Sequence, residues 1–196
     1  MASLNFPPYI NENYEIYQWR HSIAILMQDF PNEWNDLLSV LTEFRLLKSH
    51  IAVGGGNKSS VAESIDAKFK SRGWIEKHFD TKIVVDDGES HSPTHKVDEF
   101  KNKIAIEVEW NNKDPFYDRD LNNFRLLFDL RVISVGVIIT RTDDLQKIFN
   151  NLGRGSSYGM STTHMSKLLP KLIGGGGGGC PVLVIGITDK LYVEDV

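Results

Sequence analysis

Apolar residues recur at three- and four-residue spacing twice near the start of the chain. The first set is Ile16, Trp19, Ile23, Leu26, Met27 and Phe30, the second Trp34, Leu37, Leu38, Leu41 and Phe44, with Pro31 between them. This period predicts two amphipathic helices that begin the fold. A third set, Val61, Ile65 and Phe69, predicts another helix, ended by Gly73. The pattern then shortens. Lys82-Ile-Val-Val-Asp is a short strand, and Val97–Phe100 with Ile104–Trp110 reads as a hairpin turning at Lys101-Asn-Lys. Leu121, Phe124, Leu127 and Phe128 place a helix over Asp118–Arg131, and the apolar runs Val132–Thr140 and Val182–Ile187 read as fully buried strands. Thr142 is positioned to cap a short helix through Asn151, and Ser161–Ile173 reads as one more helix. The expectation is an α/β fold, a central mixed sheet flanked by helices. The run Gly174–Gly179 reads as a flexible connection, and no internal repeat is present.

Composition narrows the class. With 196 residues, 41% hydrophobic and 24% charged, the chain fits one domain, with N-terminal helices over 14–50 and a core over 59–190. Cys180 is the only cysteine, which excludes an internal disulfide and a Cys-rich zinc site and suits a cytoplasmic location. The start of the chain has no charged-then-apolar signal and no long apolar run occurs, so the reading is neither secreted nor membrane-spanning. A net charge of -4 weighs mildly against nucleic acid as partner. The objection is weak, because basic side chains gathered on one face still make an attractive cleft on an acidic protein.

The chemistry concentrates in the hairpin. Along its second arm Ile104, Ile106, Val108 and Trp110 share one face, and Ala105, Glu107 and Glu109 share the other. Asp98 sits on the paired arm. Any one of these acids alone reads most simply as part of a solvated strand face. Three converging carboxylates repel one another unless a cation or protons intervene, and hard oxygen ligands suit Mg²⁺.

The stretch Val-Asp-Glu-Phe-Lys-Asn-Lys-Ile-Ala-Ile-Glu-Val-Glu-Trp at 97–110 resembles the metal-binding hairpin of the BglII/BstYI restriction endonucleases, within the PD-(D/E)XK nuclease superfamily. Lys-Ser-Arg-Gly-Trp at 70–74, Pro115-Phe116, Val135-Gly-Val-Ile-Ile and Pro181-Val-Leu-Val-Ile-Gly-Ile are similar to that family in the same order. The resemblance implies a restriction-endonuclease-like fold and a Mg²⁺-dependent, homodimeric enzyme that cuts double-stranded DNA at a palindrome, partnered by a cognate DNA methyltransferase. It implies Asp98, Glu107 and the backbone carbonyl of Val108 as metal ligands. Glu109 stands where the superfamily usually has lysine, this branch glutamine and BamHI glutamate, so whether it acts as general base or orients the water stays open. Glu63 is a candidate fourth acid from the preceding helix; Ser60-x-x-Glu63 also reads as a capping box.

Other signals are weaker. The segment Gly54-Gly-Gly-Asn-Lys-Ser-Ser lacks the phosphate-loop spacing, but it can offer Lys58 and backbone N–H groups to a DNA phosphate. Asn111 and Asn112, directly after the acidic strand, suit adenine edges. Arg154, Ser156, Ser157 and His164 make a second candidate reading segment. The six histidines show no metal-ligand spacing and read mostly as surface residues. Two alternatives stay open, a repair, resolvase or modification-dependent nuclease on the same hairpin and a catalytically inactive DNA-binding protein.

Overall fold

The two apolar runs at 135–141 and 182–187 lie side by side in the middle of one sheet, and the rest of the chain is arranged around them. The computed structural model describes residues 6–52, 58–91 and 95–196, with Ile83 described by its backbone only. The glycines of 54–56 and Asn57 lie outside the described residues. The helices are α1 (Pro8–Asn13), α2 (Ser22–Asp29), α3 (Pro31–Glu43), α4 (Lys48–Ala52), α5 (Ser60–Lys70), α6 (Phe116–Asp129), α7 (Gln146–Asn151) and α8 (Met165–Ile173). The strands are β1 (Tyr14–Trp19), β2 (Leu46–Leu47), β3 (Ile75–Lys77), β4 (Lys82–Val85), β5 (Gly88–His91), β6 (Val97–Lys101), β7 (Ile104–Val108), β8 (Val135–Arg141), β9 (Val182–Ile187) and β10 (Tyr192–Val193). No helix among the described residues is long and apolar enough to cross a membrane.

Six strands form the main sheet in the order β1-β9-β8-β7-β6-β3. The β7–β8 and β8–β9 pairs are parallel, whereas β1–β9, β6–β7 and β3–β6 are antiparallel. This is the expected mixed α/β sheet. Both faces are covered, which is why β7, β8 and β9 are buried at every residue. On one face Ile106, Val137 and Ile185 pack with Leu37 and Leu41 of α3 and Ile65 and Phe69 of α5. On the other, Ala105, Ile138 and Val184 pack with Leu121 and Phe124 of α6 and Leu168 and Leu172 of α8.

Three local expectations are corrected. The first helical period begins too early, because Tyr14–Trp19 is an edge strand paired with β9 from Tyr14↔Ile187 to Trp19↔Val182. Ile16 packs with one core and Tyr17 and Trp19 with the other, a period-two arrangement that Ile16 and Trp19 alone did not reveal. Arg20 (φ 54°) and His21 (φ 58°) then turn the chain into α2. The glycine run is not a free tether, since it folds as turns against α6. Gly178 (φ +55°) leaves no room for a side chain, and a Cβ there would lie 2.6 Å from Arg125 Cγ. Thr142 does stand at the N-cap of the turn Asp143–Leu145 that runs into α7, but its side chain makes no capping bond; its hydroxyl is engaged by the Asp144 carboxylate and the Ile187 carbonyl instead.

Candidate active site

The β6–β7 hairpin turns through Asn102 and Lys103, both at positive φ (43° and 67°), as a two-residue connection requires. Its length sets the register. Glu99 pairs with Ile106, so the next residues outward, Asp98 and Glu107, stand opposite each other on one face. They are cross-braced, because the Asp98 N–H donates to Glu107 Oε2 at 3.4 Å and the Val108 N–H donates to Asp98 Oδ2 at 3.0 Å. Glu109 continues the same face beyond the end of β7. Asn112 Nδ2 donates to its Oε2 at 2.8 Å, and Arg119 Nη2 lies 3.5 Å from its Oε1.

This acidic face is not solvated. Glu107 is 1% and Glu109 2% exposed. The cause is α6, whose buried stripe of Tyr117, Asp120, Leu121, Phe124 and Leu127 lies over the sheet and carries a carboxylate into the cluster. Burial pushes the Glu107 carboxyl well above the usual range, reinforced by Asp120, Asp98 and Glu109. Burial, then Asp120, raises Glu109 to about 9. Burial also raises Asp98, against the Val108 N–H and the Lys58 charge. Such a cluster holds protons or a cation. Glu107 Oε1 and Asp120 Oδ2 are buried without a hydrogen-bond partner, and the donors are hard oxygens, so the set fits a divalent cation.

A cleft of about 350 Å³ opens over the hairpin end. Asp98, Val108 and Glu109 line it, with Asn111 and Asn112 beside them and Lys58 and Arg119 supplying positive charge. Lys58 is ion-paired with Asp66 of α5. Asn111 holds a positive φ of 62°, and its side-chain oxygen is buried without a partner. The structure therefore gathers Asp98, Val108, Glu109, Lys58, Asn111 and Asn112 around one opening, with Glu107 buried next to it.

Other residues fall elsewhere. Glu63 is exposed on α5, whereas Asp66, one turn on, points toward the hairpin and meets Lys58. The capping box is corrected too. The N-cap is Ser59, which accepts from the Ala62 N–H, so Glu63 is one residue too far along to complete the box. Arg154, Ser156 and Ser157 do not line the cleft, but their loop is tied to the segment after β7: the Asp114 N–H donates to the Ser161 carbonyl (3.0 Å) and the Thr163 N–H to the Asn112 carbonyl (2.8 Å). His164 is only 2% exposed, its Nδ1 lying 2.9 Å from Asp143 Oδ1 and 3.0 Å from Ser166 Oγ. It stands at the N-cap of α8 and is buried there, where the sequence reading expects a DNA contact.

Two residues of the cluster escaped the sequence reading. Asp120 was detectable, as an acid on the apolar stripe of α6 at the spacing Tyr117, Asp120, Phe124. The other is His95, one of six histidines without ligand spacing in the sequence; its Nε2 lies 3.1 Å from Asp120 Oδ1 and 3.4 Å from Glu107 Oε1. No spacing signal marks it, because it lies outside any helix or strand.

Among curated proteins, none matches this chain significantly. The sequence does match the family described as restriction endonuclease BglII/BglIII over residues 14–187, a span that includes β1, β9 and the entire acidic hairpin. Since that match covers most of the molecule and the mixed sheet carries the hairpin acids at a cleft, this chain belongs to the BglII/BglIII restriction endonuclease family.

Proposed function

We propose that this type II restriction endonuclease works as a single-domain subunit of a two-fold homodimer, cutting both strands of a short DNA palindrome with Mg²⁺, alongside a cognate methyltransferase. One acidic hairpin per chain serves one strand, so a double-strand cut at a palindrome calls for two copies related by a two-fold axis. The observation that carries the reading is the opposition of Asp98 and Glu107 across the hairpin at a cleft bordered by Lys58 and Arg119.

Asp98, Glu107 and the Val108 carbonyl are the oxygen ligands for the cation. When bound, Mg²⁺ supplies neutralisation of phosphate charge and a more acidic bound water. Glu109 faces the cleft with a carboxyl held near pKa 9 in the metal-free protein; a cation nearby favours its ionised form, in which it accepts a proton from the attacking water. Lys58 and Arg119 hold the DNA backbone. Asn111 and Asn112 read base edges from the segment after β7, and Arg154, Ser156 and Ser157 follow from the loop bonded to it.

Glu107→Ala tests the assignment. It removes a ligand oxygen without touching the apolar face formed by Ile104, Ile106 and Val108, so digests of phage DNA with Mg²⁺ should lose their discrete bands while circular dichroism stays unchanged. Near-normal cutting by this variant would eliminate the hairpin as the reacting site.

A further inference from the structure

An imidazole and a carboxylate that the cleavage chemistry above leaves unused, those of His95 and Asp120, converge on Glu107. His95 lies in the segment leading into β6, Glu107 on β7 and Asp120 on α6, with one ligand atom from each lying within 4.8 Å of the others. Both acids are deeply buried, Glu107 at 1% and Asp120 at 0% exposed. Their oxygens divide into used and unused. Glu107 Oε2 receives the Asp98 N–H and Asp120 Oδ1 receives Arg119 at 2.9 Å, whereas Glu107 Oε1, Asp120 Oδ2 and His95 Nε2 have no hydrogen-bond partner. Unpaired buried acceptors cost free energy unless something binds them.

An imidazolium at His95 would face Glu107 Oε1 and Asp120 Oδ1, with the proton on Glu109 as the remaining donor toward the Asp120 carboxylate. A cation satisfies all three groups. Ligands about 2.1 Å from an ion stand roughly 3 to 4 Å from one another, so the observed spread needs only small side-chain rotations to close. One nitrogen and two carboxylate oxygens favour first-row transition ions over Mg²⁺, which prefers an all-oxygen shell.

We propose that His95, Glu107 and Asp120 form a second divalent-cation site, selective for transition ions such as Co²⁺ or Mn²⁺ and bridged through Glu107 to the ion at Asp98. The bridging rests on the cleavage reading; the pairing of His95 with Asp120 rests on geometry alone.

Co²⁺ added to the DNA-free protein tests it. Equilibrium dialysis should give two ions per chain for the wild type and one for His95→Ala. The proton NMR spectrum of the Co²⁺ form should show one paramagnetically shifted, exchangeable imidazole N–H signal. That signal should vanish in His95→Ala, persist in Asp98→Asn and survive excess Mg²⁺. Asp120→Asn gives a second removal of the site should His95→Ala fail to fold by circular dichroism. Equal stoichiometry and identical spectra for the wild type and the site variants would overturn the proposal. Because the readout is binding, it is separate from the cleavage assay: normal cutting by Glu107→Ala would sink the hairpin mechanism while the Co²⁺ spectrum still decides the His95 site.

Discussion

Glu109→Gln should make the metal-free protein more stable, by an amount that grows with pH. In the folded chain the Glu109 carboxyl is raised from 4.5 to about 9 by burial and by Asp120, so at neutral pH it keeps a proton that the unfolded chain has released. Because the folded state binds this proton more tightly, the wild type loses stability as pH rises from about 4.5 toward 9 and regains it as pH falls. Each pH unit above the unfolded value costs about 1.4 kcal/mol, so the penalty is under about 1 kcal/mol at pH 5 and at most about 5 kcal/mol at pH 8. Glutamine keeps the shape. Its amide can donate toward Asp120 as the protonated carboxyl does and accept from Asn112 Nδ2, so the variant loses the pH-dependent cost and little else. Urea unfolding of both proteins in chelator should show the variant nearly level with the wild type at pH 5 and several kcal/mol ahead at pH 8. A difference that is the same at both pH values, or a variant less stable at pH 8, would show that Glu109 is ionised and satisfied in the folded chain, and the electrostatic account would fail.

Asn112→Ala should reduce discrimination at one symmetric pair of base positions by about 1 to 3 kcal/mol while leaving non-specific binding nearly intact, measured on cognate and one-base-changed duplexes at several salt concentrations. Equal weakening on both duplexes would reduce Asn112 to its bond with Glu109. Gly178→Ala should lower stability by about 2 kcal/mol in chemical or thermal unfolding, from the left-handed backbone and the approach to Arg125, whereas a free linker would show no change.

The hairpin was legible in the sequence because its information is local. Alternation of Ile104, Ile106 and Val108 with Ala105, Glu107 and Glu109 dictates which side chains share a face; the turn read at Lys101-Asn-Lys is in the structure the two residues Asn102 and Lys103, and that shorter connection sets the register in which Asp98 meets Glu107. The buried strands β8 and β9 and the helices α3, α5 and α6 follow from apolar run length and period in the same way. Tertiary structure decided what depends on residues far apart in the chain. Tyr14–Trp19 becomes a strand because β9, from the other end of the sequence, offers it a hydrogen-bonding edge. The acidic face is buried because α6 packs over it, and that packing brings Asp120 to Glu109 and, with the chain before β6, His95 to Glu107. No periodicity records these meetings. A sequence states how each side chain is aimed along its own element, but which buried charges meet, and so which of them need a proton or a cation, is settled only when the elements pack and water leaves the space between them.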